Sequence, residues 1–229
     1  MGNTFNSHLA NQMYGVSNEK ELRDKLYGTR AGITQDELSY MIELLSSFKN
    51  PIYGEIGVYF GGTFANILNF LKSNKESYKA YGFDLFEDLE LQSFDNNNQT
   101  HELKNKWNML NVAYRDGLEK KLIEMGYVNF TLVKGSSNTS VDKCNEIFDL
   151  FFIDGNHTYR QVKMDFNSVI GKCKSGSVIV FDNSSNDIPP DPRYVEIDGG
   201  PWKLCQELKS DSRVKFLNKI YRSTYFKVS

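Results

Sequence analysis

The chain has 229 residues, with 27 Lys and Arg against 29 Asp and Glu, and 40% of its residues are hydrophobic. These values are typical of a globular protein with a buried core and exclude disordered and collagen-like chains. The net charge of −2 argues against a general affinity for nucleic acid or membrane surfaces. Three cysteines without CxxC spacing indicate neither a disulfide framework nor a zinc knuckle.

The start of the sequence shows no targeting signal. Residues 1–15 have neither the basic nor the apolar region of a secretory signal. No apolar run approaches the roughly 20 residues that a membrane helix needs. We therefore expect a cytoplasmic protein that binds neither membranes nor nucleic acid.

Two helices are predicted before the first strand. Residues 17–28 have an N-cap serine and a glycine beyond the end, and the capping box Thr34–Glu37 begins the second helix. We expect residues 1–50 to form an N-terminal helical extension of a domain that covers residues 51–229. These helices also offer a surface through which a homodimer could form.

Apolar strand segments then alternate with helical periods. Near-continuous apolar strands separated by amphipathic helices predict a doubly wound α/β fold, with a parallel sheet covered on both faces. Residues 214–228 have two strand-like segments with no helix between them, so we expect an antiparallel hairpin at one sheet edge. The parallel strands are predicted at 52–58, 79–86, 129–135, 148–154 and 175–182.

Two features follow the fourth predicted strand. Apolar spacing from Val162 to Cys173 predicts a helix that includes Cys173. Four of the five prolines fall within 184–201, ahead of a helix predicted at 202–209. So long a connection is typical of a loop that covers a site, although a rigid surface connector is the alternative.

A glycine-rich turn follows the first parallel strand. Residues 55–63 have the spacing Glu-x-Gly-x-x-x-Gly-Gly-Thr, which lets the backbone approach a ligand at a helix N-terminus. The spacing matches neither the dinucleotide fingerprint nor the phosphate loop, so an NAD-binding oxidoreductase is disfavoured. Glu55 at the strand end would attract a cationic ligand. The alternative is an ordinary strand-to-helix turn.

Asp84 ends the second parallel strand. In doubly wound folds, an acid at this point accepts hydrogen bonds from ribose hydroxyls. The alternative is a surface carboxylate, because residues 83–102 hold six acids and no Lys or Arg.

The strongest group of candidates follows the fourth and fifth strands. Asp154 and His157 come after one strand, and Asp182 and Asn183 come after the next. Neighbouring parallel strands place these ends together, and two carboxylates with an amide oxygen suit Mg²⁺. The aspartates could instead cap local turns. His157 is a candidate general base, or has a purely local role.

Together, these motifs resemble class I S-adenosylmethionine-dependent methyltransferases, most of all bacterial O-methyltransferases of the macrocin and sugar type. The resemblance implies a Rossmann-like sheet of seven strands and S-adenosylmethionine as cofactor. Many members have an acid where this chain has Ser136. The cofactor-binding residues that the resemblance implies are Glu55, Gly57, Tyr59, Gly61, Thr63, Asp84, Ser136 and Asp154.

The resemblance also implies a metal-assisted reaction. Asp154, Asp182 and Asn183 match the divalent-metal ligands of catechol-type enzymes, and His157 stands where those enzymes have a lysine. The base is therefore His157 or a nearby group. We expect methyl transfer to a hydroxyl of a sugar, a polysaccharide precursor or a secondary metabolite. The alternatives are a metal-independent methyltransferase with His157 as base, and a catalytically silent binding domain.

Overall fold

The computed structural model describes residues 33–59, 61–86, 114–184 and 199–229. The helix predicted at 17–28 lies outside these ranges, as do most of the acidic stretch and of the proline-bearing segment. The elements are α1 (Gln35–Ser46), β1 (Ile52–Ile56), α2 (Gly62–Asn74), β2 (Lys79–Asp84), α3 (Tyr114–Glu124), β3 (Phe130–Lys134), α4 (Ser137–Lys143), β4 (Phe148–Ile153), α5 (Tyr159–Ile170), β5 (Cys173–Phe181), α6 (Gly200–Leu208), β6 (Val214–Ile220) and β7 (Ser223–Val228).

Seven strands form one sheet in the order β3-β2-β1-β4-β5-β7-β6. Strands β1 to β5 are parallel, and β7 runs antiparallel to both β5 and β6. The predicted doubly wound sheet with a C-terminal antiparallel hairpin is confirmed. The strand order reverses between β1 and β4, and open α/β sheets bind ligands beyond the carboxyl ends of the strands at such a point.

Both faces of the sheet are covered, because side chains alternate along each strand. All six residues of β4 are buried. Phe152 belongs to a core cluster shared with α1 and α2, and Phe151 belongs to a second cluster shared with α5 and α6. Helix α1 therefore packs against the sheet, while the division at residue 50 stays a prediction.

The structure corrects three details of the predicted elements. Cys173 begins β5 rather than ending a helix, because α5 stops at Ile170. Helix α6 begins at Gly200 rather than at residue 202, and it includes Pro201 in its first turn. Proline is tolerated there because an N–H in the first turn has no hydrogen-bond partner within the helix. Helix α4 was not predicted, since only Ser140 and Val141 of its seven residues are buried and no apolar period results. No helix within the described ranges has both the length and the apolar character to cross a membrane.

Candidate active site

The turn after β1 brings two strand ends into close contact. Gly57 has φ 86°, and a Cβ at this position would overlap the main-chain oxygen of Asp154. Gly61 has φ 78° and is the N-cap of α2, and Thr63 is buried in the first turn of that helix. Glycine is required at residue 57 because both the conformation and the space exclude a side chain. The close contact between the Gly57 and Asp154 backbones therefore brings the carboxyl ends of β1 and β4 together.

Asp84 is fixed by backbone N–H groups. Its Oδ2 accepts a hydrogen bond from the Tyr59 N–H at 2.9 Å, and its Oδ1 accepts one from the Phe86 N–H at 2.8 Å. Tyr59 has φ 51°, a conformation that is uncommon for residues other than glycine. Burial raises the pKa of Asp84, and the backbone donors oppose that rise. The two loops after β1 and β2 are thus tied together by one carboxylate.

Glu55 lies beneath this turn and is only 1% exposed. Its Oε2 accepts a hydrogen bond from the Tyr53 hydroxyl at 2.6 Å. Burial raises the pKa of Glu55 well above its usual range, the Tyr53 hydroxyl opposes this, and the charges of Asp154 and Asp84 add to it. A cation bound among these three acids would stabilise their charged forms.

Ser136 follows β3 and is the N-cap of α4, although its side chain does not cap that helix. A polar cluster lies next to it. Asp165 is 1% exposed, and its Oδ1 accepts hydrogen bonds from the Ser137 hydroxyl at 2.6 Å and from Gln161 Nε2 at 2.9 Å. Burial raises the pKa of Asp165 to about 6 against these donors. In the sequence, Asp165 is an ordinary polar residue of a predicted helix, so it was not predicted as a site residue.

The predicted metal and base residues come together at the ends of β4 and β5. His157 Nε2 is 3.4 Å from Asp154 Oδ1, and Asn183 Nδ2 is 3.4 Å from His157 Nδ1. Asn183 has φ 48°. The N-terminus of α6 holds the loop that bears His157, because the Gly200 N–H donates a hydrogen bond to the His157 carbonyl at 3.0 Å. His157 therefore lies between Asp154 and Asn183.

Asp182 is buried beside this group. Burial raises its pKa to about 7, the charge of Asp154 adds to the rise, and the charge of Arg222 opposes it. An Arg222 guanidinium nitrogen is 3.7 Å from Asp182 Oδ2, and the Ser223 hydroxyl is 3.4 Å from Oδ1. No local sequence pattern indicates these two contacts, since they join residues some forty positions apart.

The donor chemistry at these strand ends fits a hard divalent cation. Burial and then the charge of Asp154 raise the pKa of Asp182, and Asn183 adds an amide. Within the described ranges, no three His, Cys, Asp or Glu side chains are grouped closely enough to hold a metal. An ion here would therefore depend on the Asn183 oxygen and on oxygens from water or from an acceptor.

A family model described as a methyltransferase domain matches residues 55–184. The chain belongs to this methyltransferase-domain family. The matched segment runs from Glu55 to just beyond Asn183 and includes the glycine turn. The resemblance to class I S-adenosylmethionine-dependent methyltransferases is confirmed at the level of family and fold. No curated protein matches the methyltransferase sequence significantly.

Solved structures share the fold of this methyltransferase at low sequence identity. The O-methyltransferase TomG from Streptomyces achromogenes, in complex with SAM, is 12% identical with a TM-score of 0.65, covering 97% of this chain and 95% of that chain. CalS11, a TDP-rhamnose 3′-O-methyltransferase of calicheamicin biosynthesis, is 15% identical with a TM-score of 0.57, covering 97% and 86%. MycE, in complex with Mg, SAH and mycinamycin VI, is 15% identical with a TM-score of 0.55, covering 91% and 54%.

Proposed function

We propose that this methyltransferase transfers the methyl group of S-adenosylmethionine to a hydroxyl of a sugar-bearing or secondary-metabolite acceptor, with the help of a divalent cation. The observation that supports this best is the meeting of Asp154, His157, Asp182 and Asn183 next to the glycine turn. The chemistry of TomG, CalS11 and MycE is consistent with it.

The loops after β1, β2 and β3 would bind S-adenosylmethionine. The backbone of the turn at Gly57 and Gly61, at the N-terminus of α2, would bind the methionine part, and the Asp84 carboxylate, held by backbone N–H groups that include those of Tyr59 and Phe86, would bind the ribose hydroxyls. Ser136 would lie beside the adenine. Glu55 is close to Asp84 and Asp154, and this negative field favours a cofactor that has a sulfonium and an ammonium group.

The ends of β4 and β5 would bind the acceptor. His157 would take the proton of the acceptor hydroxyl, so that the oxygen attacks the methyl carbon as the carbon–sulfur bond breaks. Asp154 lies 3.4 Å from the ring and stabilises the imidazolium that results. A divalent cation held by Asp154, Asp182 and Asn183 would lower the pKa of that hydroxyl. S-adenosylhomocysteine and the methyl ether are the products.

A metal-independent reaction is the second candidate, and one observation favours it. The Arg222 guanidinium is 3.7 Å from Asp182 Oδ2 and already supplies a positive charge beside the carboxylate. In that case His157 alone activates the hydroxyl.

The test of this proposal combines binding with methyl transfer. Calorimetry should detect binding of S-adenosylmethionine, and methyl-labelled cofactor should label a TDP-sugar or a catechol-type acceptor. Asp154→Ala and Asp182→Ala should abolish transfer that Mg²⁺ stimulates. Full activity of both variants in chelator would exclude the metal role.

The same experiment separates the alternatives. Activity that survives chelator but is lost in His157→Ala would select the metal-independent reaction. Cofactor binding without transfer to any hydroxyl in the panel would indicate a silent binding domain. Failure to bind the cofactor would contradict the proposal as a whole.

A further inference from the structure

Glu37 is a completely buried carboxylate on α1 that bonds to two distant parts of the chain. Its Oε2 accepts hydrogen bonds from the Thr34 N–H at 2.6 Å and from the Thr34 hydroxyl at 2.8 Å. The first of these bonds and the bond from the Glu37 N–H to the Thr34 hydroxyl oxygen, at 3.3 Å, form the predicted capping box. Its Oε1 accepts hydrogen bonds from the Arg222 N–H at 3.0 Å and the Ser223 hydroxyl at 2.8 Å. Of the bonds to the Glu37 carboxylate, a capping box needs only the one from the Thr34 N–H. The second pair fixes the turn between β6 and β7.

That turn lies directly beside the candidate metal ligand Asp182. The Arg222 carbonyl accepts a hydrogen bond from the Ser184 N–H at 2.9 Å. The turn is therefore bonded on one side to α1 and on the other to the segment that follows β5. The position of the turn determines which groups face Asp182.

The Ser223 hydroxyl stands between two carboxylates. It is 2.8 Å from Glu37 Oε1 and 3.4 Å from Asp182 Oδ1. A hydroxyl has a single proton to donate, and the shorter distance assigns that proton to Glu37. Asp182 Oδ1 thus does not receive the Ser223 proton, and the position of that proton does not oppose a cation there.

We propose that Glu37 is a positioning residue that keeps the Ser223 proton away from Asp182, and so leaves that carboxylate available to a divalent cation. This inference rests on the proposed function. It means that α1, through Glu37 and Ser223, affects cation binding at the ends of β4 and β5. Without Glu37, the Ser223 hydroxyl turns to Asp182 and competes with the cation.

The direct test measures Mn²⁺ binding by electron paramagnetic resonance, with S-adenosylhomocysteine binding measured by calorimetry on the same samples. Glu37→Ala should weaken Mn²⁺ binding about tenfold to hundredfold, the range over which changes in the hydrogen bonds around a metal ligand alter metal affinity. Binding of S-adenosylhomocysteine should be unchanged. Glu37→Gln, which keeps the volume but cannot accept all four hydrogen bonds, serves if the alanine variant does not fold.

Two further variants separate this role from a general loss of packing. Thr34→Ala removes the capping hydroxyl but leaves the bonds to Arg222 and Ser223, so it should lower the melting temperature and leave Mn²⁺ binding intact. The double variant Glu37→Ala/Ser223→Ala lacks the competing hydroxyl and should regain Mn²⁺ affinity. Wild-type affinity in Glu37→Ala, or no recovery in the double variant, would overturn the proposal.

A crystal structure of Glu37→Ala distinguishes failure of this inference from failure of the proposed function. If the wild-type protein binds no Mn²⁺, the metal part of the proposed function is wrong. The inference then depends on whether the Ser223 hydroxyl moves from 3.4 Å to hydrogen-bond distance of Asp182 Oδ1, about 2.7 Å. An unchanged distance would overturn it.

Discussion

The two halves of the candidate site are built differently. In the cofactor half, the loops after β1 and β2 are joined by bonds of 2.8 and 2.9 Å from backbone N–H groups to Asp84. In the acceptor half, at the ends of β4 and β5, side chains face each other at 3.4 to 3.7 Å. Backbone donors hold the first half in place without a ligand. The second half has room to shorten its contacts when a ligand binds.

Gly57 offers the most severe test, because it is the point at which the two halves touch. Gly57→Ala combines a positive φ, which costs about 1–2 kcal/mol, with overpacking against the Asp154 carbonyl, which costs about 1–3 kcal/mol. We expect the free energy of unfolding to fall by about 2–5 kcal/mol and cofactor binding to be lost. Denaturant unfolding and calorimetry with S-adenosylhomocysteine would measure both.

Gly176 provides the matched control. It has φ 92°, but no atom lies within 4 Å of the position that its Cβ would occupy. Gly176→Ala should therefore lower the free energy of unfolding by only the cost of the positive φ, about 1–2 kcal/mol, and should bind S-adenosylhomocysteine normally. If both alanine variants lose the same unfolding free energy, the contact between residue 57 and Asp154 does not contribute to stability.

Asp165 should make the free energy of unfolding depend on pH. Burial raises the pKa of Asp165 to about 6 from the ordinary 3.8 of an aspartate, so the native state holds this proton more tightly than the unfolded chain does. The stabilisation is complete below pH 4 and is lost as the pH rises through 6, a change of about 3 kcal/mol. In Asp165→Asn this part of the pH dependence should disappear from unfolding curves recorded between pH 4 and 7. A variant with the same slope as the wild type would contradict the assignment.

Much of the fold and part of the site follow from local sequence. The apolar strands and the glycine turn are signals within a few residues, and Thr34 with Glu37 forms the capping box that their spacing predicts. The other use of Glu37 could not be predicted, because its bonds to Arg222 and Ser223 span 185 and 186 residues. Asp165 was missed because its burial depends on how α4 packs against α5. The glycine turn after β1 is a local signal, whereas the contacts that support Asp182 join distant parts of the chain and leave no local signal.

Asp84 tests whether the two halves bind different ligands. Asp84→Asn cannot accept both backbone N–H groups, and it loses the charge that would bind ribose hydroxyls. Hydrogen bonds to charged groups contribute about 1.5–3 kcal/mol, so affinity for S-adenosylhomocysteine should fall about tenfold to hundredfold. Asp182→Asn should leave that affinity unchanged. If both variants weaken it equally in calorimetry, the division into a cofactor half and an acceptor half is wrong.

The smallest effect is expected on the outside of the acceptor half, where α5 and α6 meet. The Tyr159 hydroxyl donates to Glu207 at 2.7 Å, and Lys163 Nζ is 3.2 Å from the same carboxylate. These groups are largely exposed, so Glu207→Gln should cost about 1 kcal/mol or less in unfolding free energy. The link joins α6 to Tyr159, which is two residues from His157, and the Gly200 N–H at the start of the same helix donates to the His157 carbonyl. A loss of methyl transfer much larger than the loss of stability, with unchanged cofactor affinity, would therefore show that the position of α6 controls His157.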